Sequence, residues 1–156
     1  MISSKRCFKP DKIAVFFVLL LGSLSAFGQK NDAKDLWHEL AKVEYEKKYS
    51  EEMDANINYP IFGQNIKAME GTKVTVSGYV IPLEIGSDYF VLSAFPFASC
   101  FFCGAAGPET VMEVYSAKPF KVTSDERITV RGTLHLNRSD VNHLMFMLRD
   151  AVLVPR

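Results

Sequence analysis

Two segments far apart in the chain are built to one design. Val74, Val76, Gly78 and Val80 alternate with Lys73, Thr75, Ser77 and Tyr79, and Ile128, Val130, Gly132 and Leu134 alternate with Thr129, Arg131 and Thr133. A period of two is that of a half-buried β-strand. In both, the third inward position is glycine, which a strand needs where it bends sharply and another backbone comes close. Tyr89–Ala94, Val111–Tyr115 and Leu144–Val154 supply three further strands, with turn residues at Gly86-Ser87-Asp88 and Asn137-Arg138-Ser139-Asp140. Five strands, the first and fourth long and curved, predict a mainly β fold: a five-stranded OB-like barrel over residues 71–156.

An OB barrel commonly carries a helix between its third and fourth strands that closes one end. Here Ser116–Glu126 holds Pro119 and little helical periodicity. The substitute lies upstream, where Asn31 or Asp32 can cap an amphipathic helix running to about Lys48 with Leu36, Trp37, Leu40, Ala41 and Val43 on its apolar stripe. Residues 29–70 are thus expected as an N-terminal helix followed by an irregular segment. Ile57, Tyr59, Ile61, Phe62 and Ile66 pin that segment, with a short helix in it, onto the barrel.

The first 28 residues carry a different signal. Lys5, Arg6, Lys9 and Lys12 precede the apolar run Ile13–Leu21, which ends in small residues at Ala26-Phe27-Gly28. That is the pattern of a cleaved secretory signal peptide, with an apolar run about half the ~20 residues that span a bilayer. Cys7 precedes the run, whereas a lipid-modified cysteine would follow it, so no membrane anchor is expected after cleavage. Removing four basic residues against Asp11 alone turns a chain with 18 basic and 18 acidic residues into one with a net charge of −3. An acidic chain whose outward strand positions offer few aromatic and basic residues is not a nucleic-acid binder.

Cleavage also leaves two of the three cysteines, Cys100 and Cys103, in an oxidising compartment. They lie in Phe97-Ala98-Ser99-Cys100-Phe101-Phe102-Cys103-Gly104-Ala105-Ala106-Gly107-Pro108-Glu109, the connection between the second and third barrel strands. Two thiols at this spacing close a disulfide or offer two sulfur ligands to one metal, and spacing alone leaves both open. Gly104, Gly107 and Pro108 follow too soon for the helix that stabilises a thioredoxin-type thiolate, which disfavours a thiol oxidoreductase. Zinc needs two further ligands, for which Glu109 on the same loop and His38 on the helix are the candidates. His135 and His143 bracket the connection between strands four and five, expected at the other end of the barrel. Of the adjacent Phe101 and Phe102, one is expected to be exposed and to contact a partner.

The run Gly71-Thr72-Lys73-Val74-Thr75-Val76-Ser77-Gly78-Tyr79-Val80-Ile81-Pro82-Leu83, the cysteine loop, and Gly107-Pro108-Glu109 with its following strand together resemble an uncharacterised family of secreted bacterial OB-like proteins. The resemblance covers about residues 60–155. It implies a periplasmic protein of Gram-negative bacteria, with relatives associated with zinc-responsive gene clusters that contain a MacB-like ABC transporter. In the better-known branch the loop reads Cys-x-His followed by prolines. Here Cys100 matches the first cysteine, Phe102 stands where the histidine would be, and Cys103 comes one residue later. The expected function is a non-enzymatic periplasmic accessory protein that binds a transition metal, zinc first, through Cys100, Cys103, Glu109 and His38, in metal homeostasis or envelope transport. The alternative is a protein-interaction module with a structural Cys100–Cys103 disulfide, docking on an envelope transport protein through Phe101 or Phe102.

Overall fold

The computed structural model describes residues 35–81, 83, 88–116, 118, 119 and 121–155. The leader expected at residues 1–28 and the start of the helix expected at 32–48 lie outside them. The elements run α1 (Asp35–Leu40), β1 (Glu44–Ser50), β2 (Ala55–Ile61), α2 (Gln64–Lys67), β3 (Lys73–Ile81), β4 (Tyr89–Ser93), β5 (Val111–Ser116), β6 (Arg127–Leu136) and β7 (Phe146–Leu153). Three single 3-10 turns, at Phe97–Ser99, Phe101–Cys103 and Pro108–Thr110, shape the connection from β4 to β5.

Strands β3 to β7 close a barrel in the order β3-β4-β5-β7-β6. Every pair is antiparallel except β5 with β7, which run parallel. The last strand is therefore inserted between the third and fourth barrel strands, the arrangement expected of an OB-like barrel. The two designed segments, β3 and β6, are neighbours, with Val76 opposite Val130, Val74 opposite Gly132 and Gly78 opposite Ile128.

Both inward glycines sit where another strand crosses closely. A Cβ on Gly78 would lie 2.5 Å from the Ser93 carbonyl oxygen, and one on Gly132 would lie 2.7 Å from the Arg149 carbonyl oxygen and 3.2 Å from the Ala151 Cα. At Gly132 the register slips, because Arg131 faces Val152 while Thr133 faces Arg149. Strand β7 carries the extra residue, and Asp150 takes a left-handed backbone with φ of 52°. Aspartate tolerates that conformation better than most residues. The bulge turns β7 so that it serves both β5 and β6.

The barrel interior is filled by Val74, Val76, Val80, Phe90, Leu92, Met112, Val114, Val130, Leu134, Phe146 and Leu148, and Leu36, Leu40, Val43, Phe62 and Ile66 join the same cluster. The closing function expected of the upstream helix thus falls to the described part of α1, to α2 and to the segments beside them. The Trp37 indole N–H donates to the Ser77 carbonyl at 2.8 Å, on β3 before its pairing with β4 begins. Among the described residues of 117–126 there is no helix.

The helix expected to reach Lys48 ends at Leu40. Leu36, Leu40 and Val43 fit a helical stripe, but Tyr45, Lys47 and Tyr49 step by two, and Glu44–Ser50 pairs with Ala55–Ile61 from Glu44 opposite Ile61 to Ser50 opposite Ala55. The segment expected to be irregular contains this hairpin and α2. The stripe that reads as helix in sequence is a helix end followed by a turn that returns Val43 to the core.

Candidate functional site

The parallel pairing of β5 with β7 decides where the chemistry gathers. Parallel neighbours begin at the same end of a barrel, so the connection leading into β5, which holds the cysteines, and the connection leading into β7, residues 137–145, emerge side by side. This corrects the expectation that His143 lies at the far end from the cysteine loop. Phe102 and His143 line one cleft, and Phe101 and His143 line another.

The cysteine loop folds back over the outside of the barrel. Cys100 is fully buried against Ile81, Val91 and Val111, with Phe101, Tyr89 and Leu144 packed on the same cluster. Cys103 is exposed, and its thiol donates to the Phe97 carbonyl oxygen at 3.0 Å. Gly104, with φ of 73°, ends the turn in a left-handed conformation. Both cysteines are free thiols. Desolvation, then the contact with Cys100, pushes the Cys103 thiol above its ordinary pKa. A thiol held protonated is a poor nucleophile.

Of the four residues expected to hold zinc, the two thiols meet and the others do not join them. Glu109 accepts a hydrogen bond from the Tyr45 hydroxyl at 2.8 Å, and His38 is exposed on α1. Burial, followed by the Glu109 contact, raises the Tyr45 phenol. Among the described residues no three His, Cys, Asp or Glu side chains gather as a metal site. The described arrangement supplies two of the four ligands a zinc ion takes. Phe101 and Phe102 divide as expected, Phe101 half-buried and Phe102 41% exposed, with the rings edge to face at 5.3 Å.

Sequence reasoning missed Glu113. On β5, Met112 and Val114 point into the barrel, so Val111, Glu113 and Tyr115 face outward. Glu113 lies in a cross-strand row with Val91 and Met147. An outward glutamate normally meets water, but here the residues before β7 cover it and leave it only 4% exposed. Its carboxylate accepts from the Leu144 backbone N–H at 3.0 Å, the Tyr115 hydroxyl at 2.8 Å and His143 Nδ1 at 3.1 and 3.3 Å. Burying a carboxylate is costly unless it is paired and hydrogen-bonded, and these donors supply the compensation. Burial and Glu113 together raise the Tyr115 phenol, while the Arg149 guanidinium, 5.3 Å from the ring centroid, acts in the opposite sense. The one sequence signal for this cluster is the turn that precedes it. The Asn137 side-chain carbonyl accepts from the backbone N–H groups of Ser139 and Asp140, and its amide donates to the Asp140 and His143 carbonyls.

Two clefts flank the His143-Leu144 ridge. The first, about 350 Å³, lies between Ile57, Tyr59 and Pro60 of β2, Phe101 and Pro108 of the cysteine loop, the polar turn Asn137 to Asp140, and Val141, His143, Leu144 and Met145. The second, about 370 Å³, is walled by Leu83, Tyr89, Val91, Phe102, Val141 and Leu144, with Glu113, Asn142 and His143 as its other members. No family model, curated protein or solved structure matches this chain.

Proposed function

We propose that this chain is a non-enzymatic binding module, exported to the periplasm or beyond, which holds an apolar segment of an envelope transport protein at the end of the barrel where the cysteine loop and residues 137–145 meet. The observation that carries this reading is the pair of clefts on either side of the His143-Leu144 ridge, apolar over much of their walls, the second of them rimmed by the exposed Phe102 and backed by a buried, hydrogen-bonded carboxylate. Apolar walls with a few fixed polar groups are what a binding site offers. The raised Cys103 thiol speaks against thiol–disulfide catalysis as the alternative.

The reading is tested by capture of the transport partner from envelope extracts with wild-type protein and with Phe101→Ala and Phe102→Ala. Loss of capture in either variant, with unchanged thermal unfolding, supports it. Capture by both at the wild-type level overturns it.

A second reading is favoured by the contact between the Cys100 and Cys103 thiols. Two adjacent sulfurs suit a soft or borderline ion, zinc first, with Glu109 and His38 or a partner completing the shell. Native mass spectrometry of the exported protein decides it. One zinc per chain, with both thiols alkylated only after chelation, supports the metal reading. A metal-free chain two hydrogens lighter than the reduced form establishes the disulfide instead.

A further inference from the structure

Strand β2 is paired with β1 alone among the described residues, so its second edge carries backbone N–H and C=O groups with no strand beside them. Residues of an antiparallel strand turn these groups alternately to one neighbour and to the other. Pro60 has no N–H to give, and proline is accommodated in a ladder where that side faces away from the partner. The same alternation turns the backbone of Asn56 and Asn58 away from β1. Both residues are exposed, and outside the β1–β2 ladder neither backbone is hydrogen-bonded among the described residues. Pro60 is buried, which ends the open edge at that point.

The two strands of the hairpin are guarded differently. β1 carries Glu44, Glu46, Lys47 and Lys48, the kind of charge that keeps an edge from pairing, whereas β2, Ala55–Ile61, carries none. Ile57 to Pro60, four consecutive residues, line the first cleft. Successive side chains of a strand point to opposite faces, so four in a row place the edge of β2, and not one face of it, along the cleft. Phe101, Pro108, Val141, Leu144 and Met145 give the same cleft its apolar wall. Lys48, Tyr59 and Arg138 line a further hollow beside it, where the two cations share one carboxylate, Glu46, at 2.8 and 4.0 Å. Asp140, the acidic residue of the first cleft, is taken up by the backbone N–H and side-chain amide of Asn142.

We propose that the first cleft takes an extended, uncharged stretch of the transport protein as a third strand on β2, hydrogen-bonded to Asn56 and Asn58, with an acidic residue at the end of the stretch beside Lys48 and Arg138. The proposal rests on the binding-module reading and states how the bound segment is held. The edge selects the class of occupant, because donors and acceptors repeating at every second residue match the main chain of another strand. The bare β2 and the paired cations select its charge.

Main-chain bonds supply the affinity in this mode, so the probe needs only strand-forming side chains and the acid. It is acetyl-Thr-Val-Thr-Val-Thr-Asp-amide, titrated into the full exported protein and followed by NMR at the Asn56 and Asn58 amides. Both amides should shift and become protected from hydrogen exchange. N-methylating both valines of the peptide, or its second and third threonines, removes alternate donors without changing a side chain. One of these patterns should weaken binding about 25-fold, at about fivefold for each lost bond, and the other by no more than about twofold. Exchanging the aspartate for lysine should weaken it about threefold at low salt and not at high salt.

Equal losses from the two methylation patterns overturn the proposal, as does binding that leaves the Asn56 and Asn58 amides unprotected, or no binding at all. A lysine peptide that binds as well as the aspartate peptide overturns the choice of partner. A protein that is itself a dimer, returned to monomer by Asn58→Lys, gives the edge to a second copy and overturns it too. If partner capture is unchanged in Asn58→Lys and lost in Phe102→Ala, the β2 edge is ruled out and the binding-module reading stands.

Discussion

Gly132 shows how much one missing methyl group decides. Its would-be Cβ meets backbone atoms of β7 on two sides, the Arg149 carbonyl oxygen and the Ala151 Cα, and neither is the end of a flexible side chain. Gly132→Ala should therefore cost about 1–3 kcal/mol, the range for overpacking a well-filled interior. Thermal unfolding checks this, and an unchanged midpoint would show that the strands part without cost. Cys103 makes the complementary point in chemistry. Its thiol is raised by desolvation and by Cys100, so the protonated form dominates further up the pH scale than for an ordinary cysteine. Alkylation of Cys103 in the reduced protein should be slower than that of glutathione at neutral pH, and the gap should close as pH rises above the ordinary thiol range. Cys100, which is fully buried, should react only when the protein is unfolded.

Among the elements, the described part of α1, Asp35–Leu40, is held by packing. Its order comes from Leu36 and Leu40, which enter the barrel core, and from the Trp37 bond to Ser77. Replacing Leu36 and Leu40 with Asp should unfold the barrel, because two charges would be left in its interior. Circular dichroism melting of that variant at the wild-type temperature would show instead that the helix is dispensable. The barrel strands were legible in the sequence to within a residue or two, since alternation and inward glycine are local signals. The β1–β2 hairpin was not. Glu44–Ser50 is nearly all exposed, so burial leaves little mark on its composition. Glu113 was hidden for a related reason. Its alternation marks it as outward, and only a covering segment thirty positions later in the chain buries it.

For the molecule as a whole, the position of His143 was misjudged because loops were assigned to barrel ends without the direction of β7. A strand's faces follow from its own residues, whereas its direction relative to a non-sequential neighbour is a property of the assembled sheet. The same holds for the ligand set, because Cys100 and Cys103 are close by spacing, while Glu109 is drawn away by Tyr45 on β1. The leader expected at residues 1–28 makes a prediction at this scale too. Expressed in a Gram-negative host, the protein recovered from the periplasm should have an intact mass that begins at Gln29. A mass that includes residue 1 would refute cleavage.

The placement of β7 between β5 and β6 also sets an order of events. It is the last of the five barrel strands along the chain, yet two of the five seams of the barrel run through it. A growing chain can form the β3–β4–β5 meander and add β6 to β3, but it keeps two open edges until β7 itself has been made and freed. Closure of the barrel thus waits on β7.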